Sequence, residues 1–469
     1  MVREHSAGIP SIEGREDVRD LWFESALLPQ GWASRVRLTA LKGRIAGVQV
    51  DTAPTATDER HALGVAGLPD VHSHAFQRGL AGLTERRGPL GDNFWSWREL
   101  MYQFVERISP DELEAVAALA FAEMLEGGFT RVGEFHYVHH DLDGTPYGDV
   151  GELTRRIAAA AAETGIGLTL LPVFYAHSGF GGAPPAARQR RFVTDLDTFA
   201  RILEAAREAV RALPGAVVGV APHSLRAVTP GELTPLVQLA GVSPLHLHIA
   251  EQTQEVLDCL AWSGLRPLTW LLEAQPVNQR WCLVHATHAT REELQALAST
   301  GAVVGLCPVT ESNLGDGIFG ADAWQALCGR FAIGSDSNVL IDAAEELRTL
   351  EYSQRLAHRS RNVLASGPGC STARTLYDAA LAGGAQALGD EQAGLAVGAW
   401  LDVVSLSPEH PALAERHGDA ILDSWVFVAG RSAIDCVWCR GEKVVSGGRH
   451  RLRDALVARY RRALRKLLT

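Results

Sequence analysis

Residues 67–74 read GLPDVHSH, a short apolar run that leads directly into His72 and His74. Alternate residues of a β-strand point to the same face, so these two imidazoles can face one site. From here to about residue 360, short apolar runs alternate with helix-like segments such as DELEAVAALAFAEMLEGG, which has an acidic first turn and ends in glycine. The number of these units decides the fold.

Eight strand candidates occur in this part of the chain. They are GLPDVH (67–72), FTRVGEF (129–135), IGLTLLPVF (166–174), AVVGVAP (216–222), PLHLHIA (244–250), RWCLVHA (280–286), AVVGLCP (302–308) and FAIGSD (331–336). Eight strand-then-helix units favour a closed parallel (β/α)8 barrel of the TIM type, within the α/β class.

The two ends of the chain have a different pattern. Residues 21–50 hold two or three short strand candidates with a turn at Gly43, and residues 394–445 hold three more, LDVVSL, SWVFVAG and CVWCRGEKVV. We expect the two ends to pair in a small β-sandwich. The predicted division is a first sandwich part at 1–66, the barrel at 67–390, a second sandwich part at 391–450 and a C-terminal basic helix at 451–469.

The final stretch, RLRDALVARYRRALRKLLT, has the pattern of a basic amphipathic helix. Such a helix can lie on a membrane surface. Docking of its leucine face on the protein, with the arginine face in water, is the favoured interpretation.

Composition excludes several classes of partner. The net charge of −11 and the pI near 5.9 argue against a nucleic-acid or anionic membrane surface, although a local arginine cluster can still bind a small anion. We therefore expect a small-molecule substrate. The N-terminus has no apolar signal region and no run of 18 apolar residues follows, which predicts a cytoplasmic protein.

The seven cysteines do not suggest a disulfide framework. Cys436 and Cys439 form a C-x-x-C within a strand candidate. Residues three apart on a strand point to opposite faces, so we interpret them as packing residues.

Further metal donors follow other predicted strands at the end where such barrels carry their active sites. They are His248 and Glu251 in HLHIAE, His285 in LVHATH and Asp336 in GSDSN. His-x-His alone is a weak signal, but imidazoles with one carboxylate suit Zn²⁺ and leave a position for water. His248 lies nearer the end of its strand than His246, which is therefore expected to be a buried or supporting residue.

One ion is predicted for each chain. Barrel hydrolases with two bridged metals usually use a carbamylated lysine or a bridging carboxylate on the fourth strand. The three lysines, Lys42, Lys443 and Lys466, all lie outside the predicted barrel.

This pattern resembles the amidohydrolase superfamily, and specifically its mononuclear aminohydrolases; GLAVGAWLD (394–402) is similar to that superfamily's return into the sandwich. The segments LPDVHSHAFQRGLAG, GEFHYVHHDLDG, APHSLRAV, HLHIAEQ and CPVTESNLGDGIF resemble the formiminoglutamate deiminases of histidine degradation. That resemblance implies hydrolysis of N-formimino-L-glutamate to N-formyl-L-glutamate and ammonia. The alternatives are an aminohydrolase of a nucleobase or related cyclic amidine, and a barrel kept as a binding scaffold; the complete set of ligands and proton carriers speaks against the scaffold.

The resemblance also implies roles for individual residues. The metal ligands would be His72, His74, His248 and Asp336, with His285 and Asp336 managing the proton of the water and Glu251 facing the cationic amidine. A second interpretation of Glu251 is an acid that holds a histidine ligand. A homodimer is expected because it is common for this architecture.

Burying the two substrate carboxylates requires cationic or strong donor groups. The residues that match positions for substrate contacts are Gln77, Arg98, Tyr137, His223 and Arg226. Arg226 is the strongest candidate because it closely follows the fourth strand. Arg98 can also be interpreted as a surface arginine stacked on Trp95 or Trp97, and Gln77 as a loop-capping amide.

Overall fold

The computed structural model describes residues 18–87, 92–390 and 392–469. Its strands are β1 (Val18–Leu28), β2 (Gly31–Leu41), β3 (Arg44–Gln49), β4 (Glu59–Ala66), β5 (Leu68–Ser73), β6 (Phe129–His136), β7 (Gly167–Phe174), β8 (Val217–Val218), β9 (Ala221–Pro222), β10 (Leu245–Ile249), β11 (Trp281–His285), β12 (Val303–Leu306), β13 (Arg330–Ile333), β14 (Val403–Leu406), β15 (Ile434–Cys439), β16 (Glu442–Ser446) and β17 (Arg449–His450).

The α-helices alternate with the strands through the middle of the chain. They are α1 (Phe94–Val105), α2 (Pro110–Glu126), α3 (Glu152–Thr164), α4 (Leu196–Val210), α5 (Pro230–Ala240), α6 (Thr253–Ser263), α7 (Pro267–Ala274), α8 (Arg291–Ala298), α9 (Pro308–Leu314), α10 (Ala321–Ala326), α11 (Ala343–His358), α12 (Thr372–Leu388), α13 (Asp419–Ser424) and α14 (Arg453–Leu468). No helix in the described ranges is both long and apolar enough to cross a membrane.

Strands β5 to β13 form the predicted TIM-like barrel. Parallel pairing runs from β5 through β6 and β7 to β8 and β9, and again from β10 through β11 and β12 to β13. Backbone bonds join the two halves, from Val220 N–H to the carbonyl of Pro244 (2.9 Å) and from Asp336 N–H to the carbonyl of His72 (2.8 Å). The barrel is therefore closed, and its strand ends meet at one mouth.

The fourth barrel strand is broken into β8 and β9, where the sequence predicts one continuous strand. Gly219 N–H still bonds to Leu170 of β7, whereas Val220 N–H bonds to Pro244, before β10. A Cβ atom on Gly219 would lie 2.6 Å from Leu171 Cδ2 and 2.8 Å from the carbonyl oxygen of Pro244, so glycine permits this close approach. The fourth strand therefore bonds to β7 on one side and to the residue before β10 on the other, and β9 pairs with β7 again after the break.

The two ends of the chain pair with each other, as the sequence predicts. They form one eight-stranded sheet in the order β17-β16-β15-β14-β4-β1-β2-β3. The junction is the antiparallel pair β4 and β14, in which Ala66 lies opposite Val403. Because β5 starts at Leu68, directly after β4, the sheet is joined to the first barrel strand without a long linker.

The prediction of a strand at SWVFVAG is wrong. Helix α13 ends at Ser424, and residues Trp425–Ala429 continue as one π-helical turn. Trp425 and Val426 are fully buried, and Arg348 Nε of α11 donates to the carbonyl of Val426 at 2.7 Å. A short apolar run has the same composition in a buried helix as in a strand, so periodicity could not separate the two.

The C-terminal basic helix α14 docks on the barrel, as favoured from the sequence. Leu456 and Leu467 are buried, and Arg453 pairs with Glu126 of α2 at 2.8 Å. Lys466 pairs with Glu112, also on α2, at 2.9 Å. Acidic side chains of a barrel helix thus face part of the basic side of α14.

Cys436 and Cys439 lie on β15 as buried, unpaired thiols. Cys439 Sγ donates to the carbonyl of Thr130 at 3.0 Å, whereas Cys436 Sγ donates to Asp435 Oδ2 at 3.4 Å. The two thiols have separate surroundings and do not form a redox pair.

Candidate metal centre and active site

Four side chains converge where the barrel strands end: His72, His74, His248 and Asp336, called here the mouth cluster. His72 Nε2 lies 3.2 Å from His74 Nε2 and 2.9 Å from His248 Nε2. Asp336 Oδ1 lies 3.5 Å from His72 Nε2 and 3.4 Å from His74 Nε2. Together with His285, these residues supply two of the sets of mutually close donor atoms that can hold an ion.

The hydrogen bonds of the mouth cluster show that it fits a cation. His74 Nδ1 bonds to the carbonyl of Phe135 at 3.0 Å, and His248 Nδ1 bonds to the carbonyl of His223 at 2.9 Å. Each Nδ1 must therefore carry the proton, which leaves the Nε2 lone pairs aimed at the cluster. Lone pairs and a carboxylate so close together repel one another unless a positive ion lies among them.

Burial keeps these imidazoles neutral, the form that binds metal. Desolvation lowers the pKa of His72 to about 3 and also lowers the pKa of His74 and His248. Burial alone would raise the pKa of Asp336, but its bond to His72 and the nearby histidine charges hold it below the ordinary range. Neutral histidines and an ionised carboxylate are the required donor states.

The backbone at this mouth is strained. Ala250, His285 and Asp336 have positive φ angles of 49°, 70° and 45°, in a region that non-glycine residues rarely adopt. The Asn338 amide donates to the carbonyls of His74 and Asp336, both at 3.1 Å, and joins the first strand end to the last. Such strain persists only where surrounding contacts enforce it, and it often marks functional sites.

His285 is held by an acid that the sequence analysis missed. Its Nδ1 lies 3.2 Å from Glu311 Oε1, and its Nε2 lies 3.9 Å from Asp336 Oδ2. Burial lowers the pKa of His285, but the charges of Glu251, Glu311 and Asp336 outweigh it and raise the pKa to about 10. Glu311 follows the seventh barrel strand in CPVTESN, so its position could have drawn attention to it.

Glu251 is buried just beyond His248 and faces Arg226. Arg226 Nη2 lies 3.7 Å from Glu251 Oε2. The turn that carries Glu251 is fixed by Glu255, which accepts from the backbone N–H groups of Ala250 and Glu251, both at 3.1 Å. Burial raises the pKa of Glu251, so this acid is poised to hold a proton.

A cavity of about 50 Å³ opens onto the cluster. Ten of the eleven site residues predicted from the sequence line it, and His72 lies fully buried beneath them, against His74 and His248. The lining residues not named in that prediction are Phe94, Trp97, Met101, Tyr102, Tyr175, Phe192 and Leu314.

Both expected cationic anchors lie at this cavity. The guanidinium of Arg98 stacks on Trp95 at 4.5 Å, and that of Arg226 lies 5.9 Å from the same ring. The buried Nε atoms of Arg98 and Arg226 have no hydrogen-bond partner within the described residues. The sequence leaves two interpretations of Arg98, stacking on a tryptophan and contact with the substrate. The structure shows the stacking, and the position of Arg98 at the cavity is compatible with substrate contact.

Hydroxyl groups complete the wall. Gln77 Nε2 donates to Tyr137 Oη at 2.9 Å, while Gln189 Nε2 donates to Tyr102 Oη (3.2 Å) and Tyr175 Oη (2.7 Å). A tyrosine oxygen that accepts from an amide keeps its own proton free to donate. Tyr102 and Tyr175 were missed because a tyrosine in an aromatic run reads as a core residue.

Three further histidines bond to backbone carbonyls. His246 Nε2 bonds to the carbonyl of Ala387 at 2.9 Å, and His139 and His140 bond to backbone carbonyls at 2.8 Å. His246 is thus a buried supporting residue, as expected from the strand phase. His223 lines the cavity and supplies the carbonyl that holds His248.

A closed barrel with this donor set at its mouth defines a hydrolase of the metal-dependent amidohydrolase type. The model of the Amidohydrolase family matches residues 64–444, and the model of the N-terminal domain of formimidoylglutamate deiminase HutF matches residues 21–62.

A formimidoylglutamate deiminase from Pseudomonas aeruginosa is 50% identical over 433 residues, 92% of this chain and 95% of the relative. The chain belongs to the amidohydrolase family and, within it, to the formimidoylglutamate deiminases. More distant relatives include a 5-methylthioadenosine/S-adenosylhomocysteine deaminase from Natronomonas pharaonis, 28% identical over 77% of this chain and 76% of the relative.

Solved structures show the same fold. A crystal structure of an amidohydrolase from Brucella melitensis has a TM-score of 0.94 and 54% identity, and covers 96% of this chain and 100% of that one. An adenosine deaminase from Xanthomonas campestris with bound zinc has a TM-score of 0.80 and 24% identity, over 96% and 98% of the two chains. The second likeness concerns the fold alone.

Proposed function

We propose that this enzyme hydrolyses N-formimino-L-glutamate to N-formyl-L-glutamate and ammonia in histidine degradation. One zinc ion would be held by His72, His74, His248 and Asp336. The observation that carries the proposal is the cavity itself, where two arginines and a buried acid surround the mouth cluster. That arrangement complements a small, flexible molecule with a cationic amidine at one end and carboxylates at the other.

A divalent ion bound at the mouth cluster would activate water for attack and polarise the group being attacked. His285 Nε2 lies 3.9 Å from Asp336 Oδ2, and these two residues would manage the proton of the water, with the ionised Asp336 as acceptor and the charged His285 as the partner that stabilises it. Glu311, at 3.2 Å from His285 Nδ1, fixes the orientation of that ring.

Glu251 would bind the amidine and transfer protons to its nitrogen. Water adds to the formimino carbon, and the tetrahedral carbon then loses the terminal nitrogen as ammonia. The bond formed is C–O and the bond broken is C–N. The oxygen of water becomes the formyl oxygen and its two protons leave with the terminal nitrogen, so that the cationic amidine and water give the formyl amide and ammonium. General acid–base assistance by a placed carboxyl contributes typically about 10²–10⁴-fold in rate.

Arg226 and Arg98 would bind the substrate carboxylates, with Tyr102, Tyr137 and Tyr175 as additional donors at the cavity wall. Guanidinium groups pair well with carboxylates because two N–H bonds form in parallel. Gln77 and His223 line the same cavity and would contact the substrate as well. Gln77 also positions the Tyr137 hydroxyl, and the carbonyl of His223 positions His248.

Deamination of a nucleobase or related cyclic amidine is the second candidate. It is favoured by the aromatic rings at the cavity, Phe94, Trp97 and Phe192 among them. It accounts less well for two arginines in a cavity of about 50 Å³, because a neutral base needs no cationic anchor.

A coupled ammonia assay with zinc-loaded enzyme distinguishes the candidates. We expect turnover of N-formimino-L-glutamate, loss of turnover after chelation, and recovery with zinc at one ion per chain. Absence of turnover at micromolar enzyme would refute the proposal. Turnover of a nucleobase that is unaffected in Arg226→Ala would support the second candidate.

We also propose the domain division 1–66, 67–390, 391–450 and 451–469, of which residues 1–17, 88–91 and 391 lie outside the described residues. The end strands would form a small β-sandwich. A separate apolar cluster supports this, because Phe23 and Leu38 from the first end share it with Val403 and Trp438 from the second.

A cytoplasmic homodimer is the proposed form of the enzyme. Exposed apolar side chains on one face support self-association: Leu356 and Val428 are 79% and 67% exposed, beside the stacked rings of Tyr352 and Phe427. Sedimentation of wild type and of Leu356→Glu tests this, since a dimer through this face dissociates in the variant.

A further inference from the structure

A second group of metal donors lies on the eight-stranded sheet, away from the barrel mouth. His61 belongs to β4, while Asp435 and Cys436 belong to β15. Their donor atoms all lie within 4.8 Å of one another. These three residues, with the neighbouring Glu59, are called here the sheet cluster.

The distances in the sheet cluster match a small coordination sphere. His61 Nδ1 lies 3.7 Å from Asp435 Oδ2, and Cys436 Sγ lies 3.4 Å from the same oxygen. Ligands placed about 2.0–2.3 Å from a tetrahedral ion are roughly 3.3–3.8 Å apart. Small movements of these side chains would therefore complete three corners of such a sphere.

Solvent reaches the cluster from one side. The Asp435 side chain is 40% exposed, whereas that of His61 is 10% exposed and Cys436 is buried. The His61 ring is held edge-on to Trp438 at 4.8 Å and lies 5.8 Å from Phe23. An ion can enter from water while two of its ligands stay in place.

The local charges suit a divalent ion. Glu59 and Asp435 are acidic, and Cys436 would add a third negative charge as a thiolate. Lys443, whose Nζ lies 2.6 Å from Glu59 Oε1, supplies one positive charge. In the metal-free protein one negative charge thus remains uncompensated, and a divalent cation would neutralise it together with the thiolate that forms on binding.

We infer that His61, Asp435 and Cys436 form a second, peripheral site for a thiophilic divalent cation of the zinc class, with water as the fourth ligand and with Glu59, whose Oε1 lies 3.3 Å from His61 Nε2, holding the far side of that ring. Imidazole, thiolate and carboxylate together select this class over magnesium or calcium, which prefer oxygen ligands alone. The bound ion would join β4, from the first part of the sheet, to β15, from the second. Its role is structural, and it is independent of the reaction at the barrel mouth.

Binding at this site displaces the thiol proton of Cys436 to solvent as the sulfur–metal bond forms. Burial and the charge of Asp435 raise the pKa of this thiol. Because the thiol proton must be released when the ion binds, affinity rises with pH through neutral and mildly alkaline values.

The test is a metal count and a spectrum on the full-length enzyme. After equilibration with micromolar free Zn²⁺, we expect two ions per chain in wild type and one in His61→Ala and in Cys436→Ser. The matched control is Cys370→Ser, at an exposed cysteine elsewhere, which should keep two ions. With Co²⁺, the second equivalent should give a near-ultraviolet thiolate charge-transfer band that is missing in Cys436→Ser.

Deaminase turnover in the two variants should equal that of wild type, which shows that they fold and retain the catalytic ion. If either variant fails to fold, the cobalt titration of wild type decides alone. A single ion per chain in wild type, or a second ion that survives both substitutions, overturns the inference. A cobalt spectrum without a thiolate band overturns it as well.

Discussion

The mouth cluster and the sheet cluster use similar side chains but differ in how these are held. His72 and His248 are fixed by strand backbone and buried packing, and His248 Nδ1 is oriented by a carbonyl at 2.9 Å. In the sheet cluster, by contrast, Asp435 is 40% exposed. Glu59, which holds the far side of the His61 ring, is shared with Lys443 at 2.6 Å.

The two sites differ in the step at which their ligands are desolvated and ordered, which is folding at the mouth cluster and ion binding at the sheet cluster. Folding of the barrel has already desolvated the ligands of the mouth cluster, so an ion gains the full interaction there. At the sheet cluster an ion must displace a thiol proton and rearrange exposed carboxylates. We therefore expect tight, catalytic binding at the mouth and weaker, stabilising binding at the sheet.

Glu251→Gln is expected to give the largest effect, because it removes proton transfer at the mouth without removing a proposed metal ligand. Turnover should fall by about 10²–10⁴-fold, while the ion at the mouth is retained. Steady-state ammonia release with metal analysis checks both. Glu409→Gln, at an exposed acid, is the control; a Glu251 variant with near-normal turnover would remove Glu251 from the mechanism.

Arg226→Ala should have the next largest effect, and it separates substrate binding from metal binding at the mouth. Loss of charge-assisted bonds worth about 1.5–3 kcal/mol corresponds to roughly a 10- to 150-fold rise in KM. Guanidinium ion added to the assay should restore part of the affinity. Arg359→Ala, at an exposed arginine, should leave KM unchanged. An unchanged KM in Arg226→Ala would contradict its role as a carboxylate anchor.

Much of the mouth could be predicted from the sequence, and the reason is geometric. Residues that follow parallel strands meet at one edge, so His72, His248 and Asp336 could be placed together from strand ends alone. Glu311 and Tyr175 also follow strands, but that position alone did not single them out, since their roles depend on side-chain directions that periodicity does not record. The segment SWVFVAG was predicted as a strand, whereas Trp425 and Val426 are apolar because they are buried in a helical turn.

The sheet cluster was beyond the reach of sequence reasoning for another reason. His61 and Cys436 are separated by most of the chain, and the C-x-x-C that contains Cys436 does not include His61. Their proximity follows from the pairing of β4 and β15 on either side of β14, and from the curvature that brings His61 against Trp438. C-x-x-C drew attention to Cys436 with Cys439 as its partner, whereas the structure gives it Asp435 and His61.

Acidification tests the contrast in burial between the barrel interior and the exposed sheet. Burial lowers the pKa of His246 to about 4, so the unfolded chain binds a proton from pH 6.5 downward while the folded protein does not. The contribution of His246 to the free energy of unfolding is therefore fully present above pH 6.5. It is lost as the pH falls toward 4, by about 3 kcal/mol. Urea unfolding at pH 7 and pH 4 measures the loss.

In His246→Gln, which keeps an amide donor for the carbonyl of Ala387, this loss should be smaller than in wild type. Metal release at low pH affects both proteins and cancels in the comparison. His417→Gln, at an exposed histidine, should show the full loss. Equal losses in all three proteins would show that His246 is not buried as a neutral group.

Lys443→Met should have the smallest effect, and it tests the comparison at the sheet cluster. Lys443 pairs with Glu59, and its positive charge lies close to the thiol of Cys436, where it disfavours a cation. An ion pair this exposed is worth about 0–1 kcal/mol, so its removal should tighten zinc binding at the sheet cluster by up to about 5-fold. Competition titration with a chromophoric chelator measures the change, with Lys42→Met as the control. Weaker binding in Lys443→Met would mean that the lysine holds Glu59 in place for the ion, and that the sheet cluster is more preorganised than its exposure indicates.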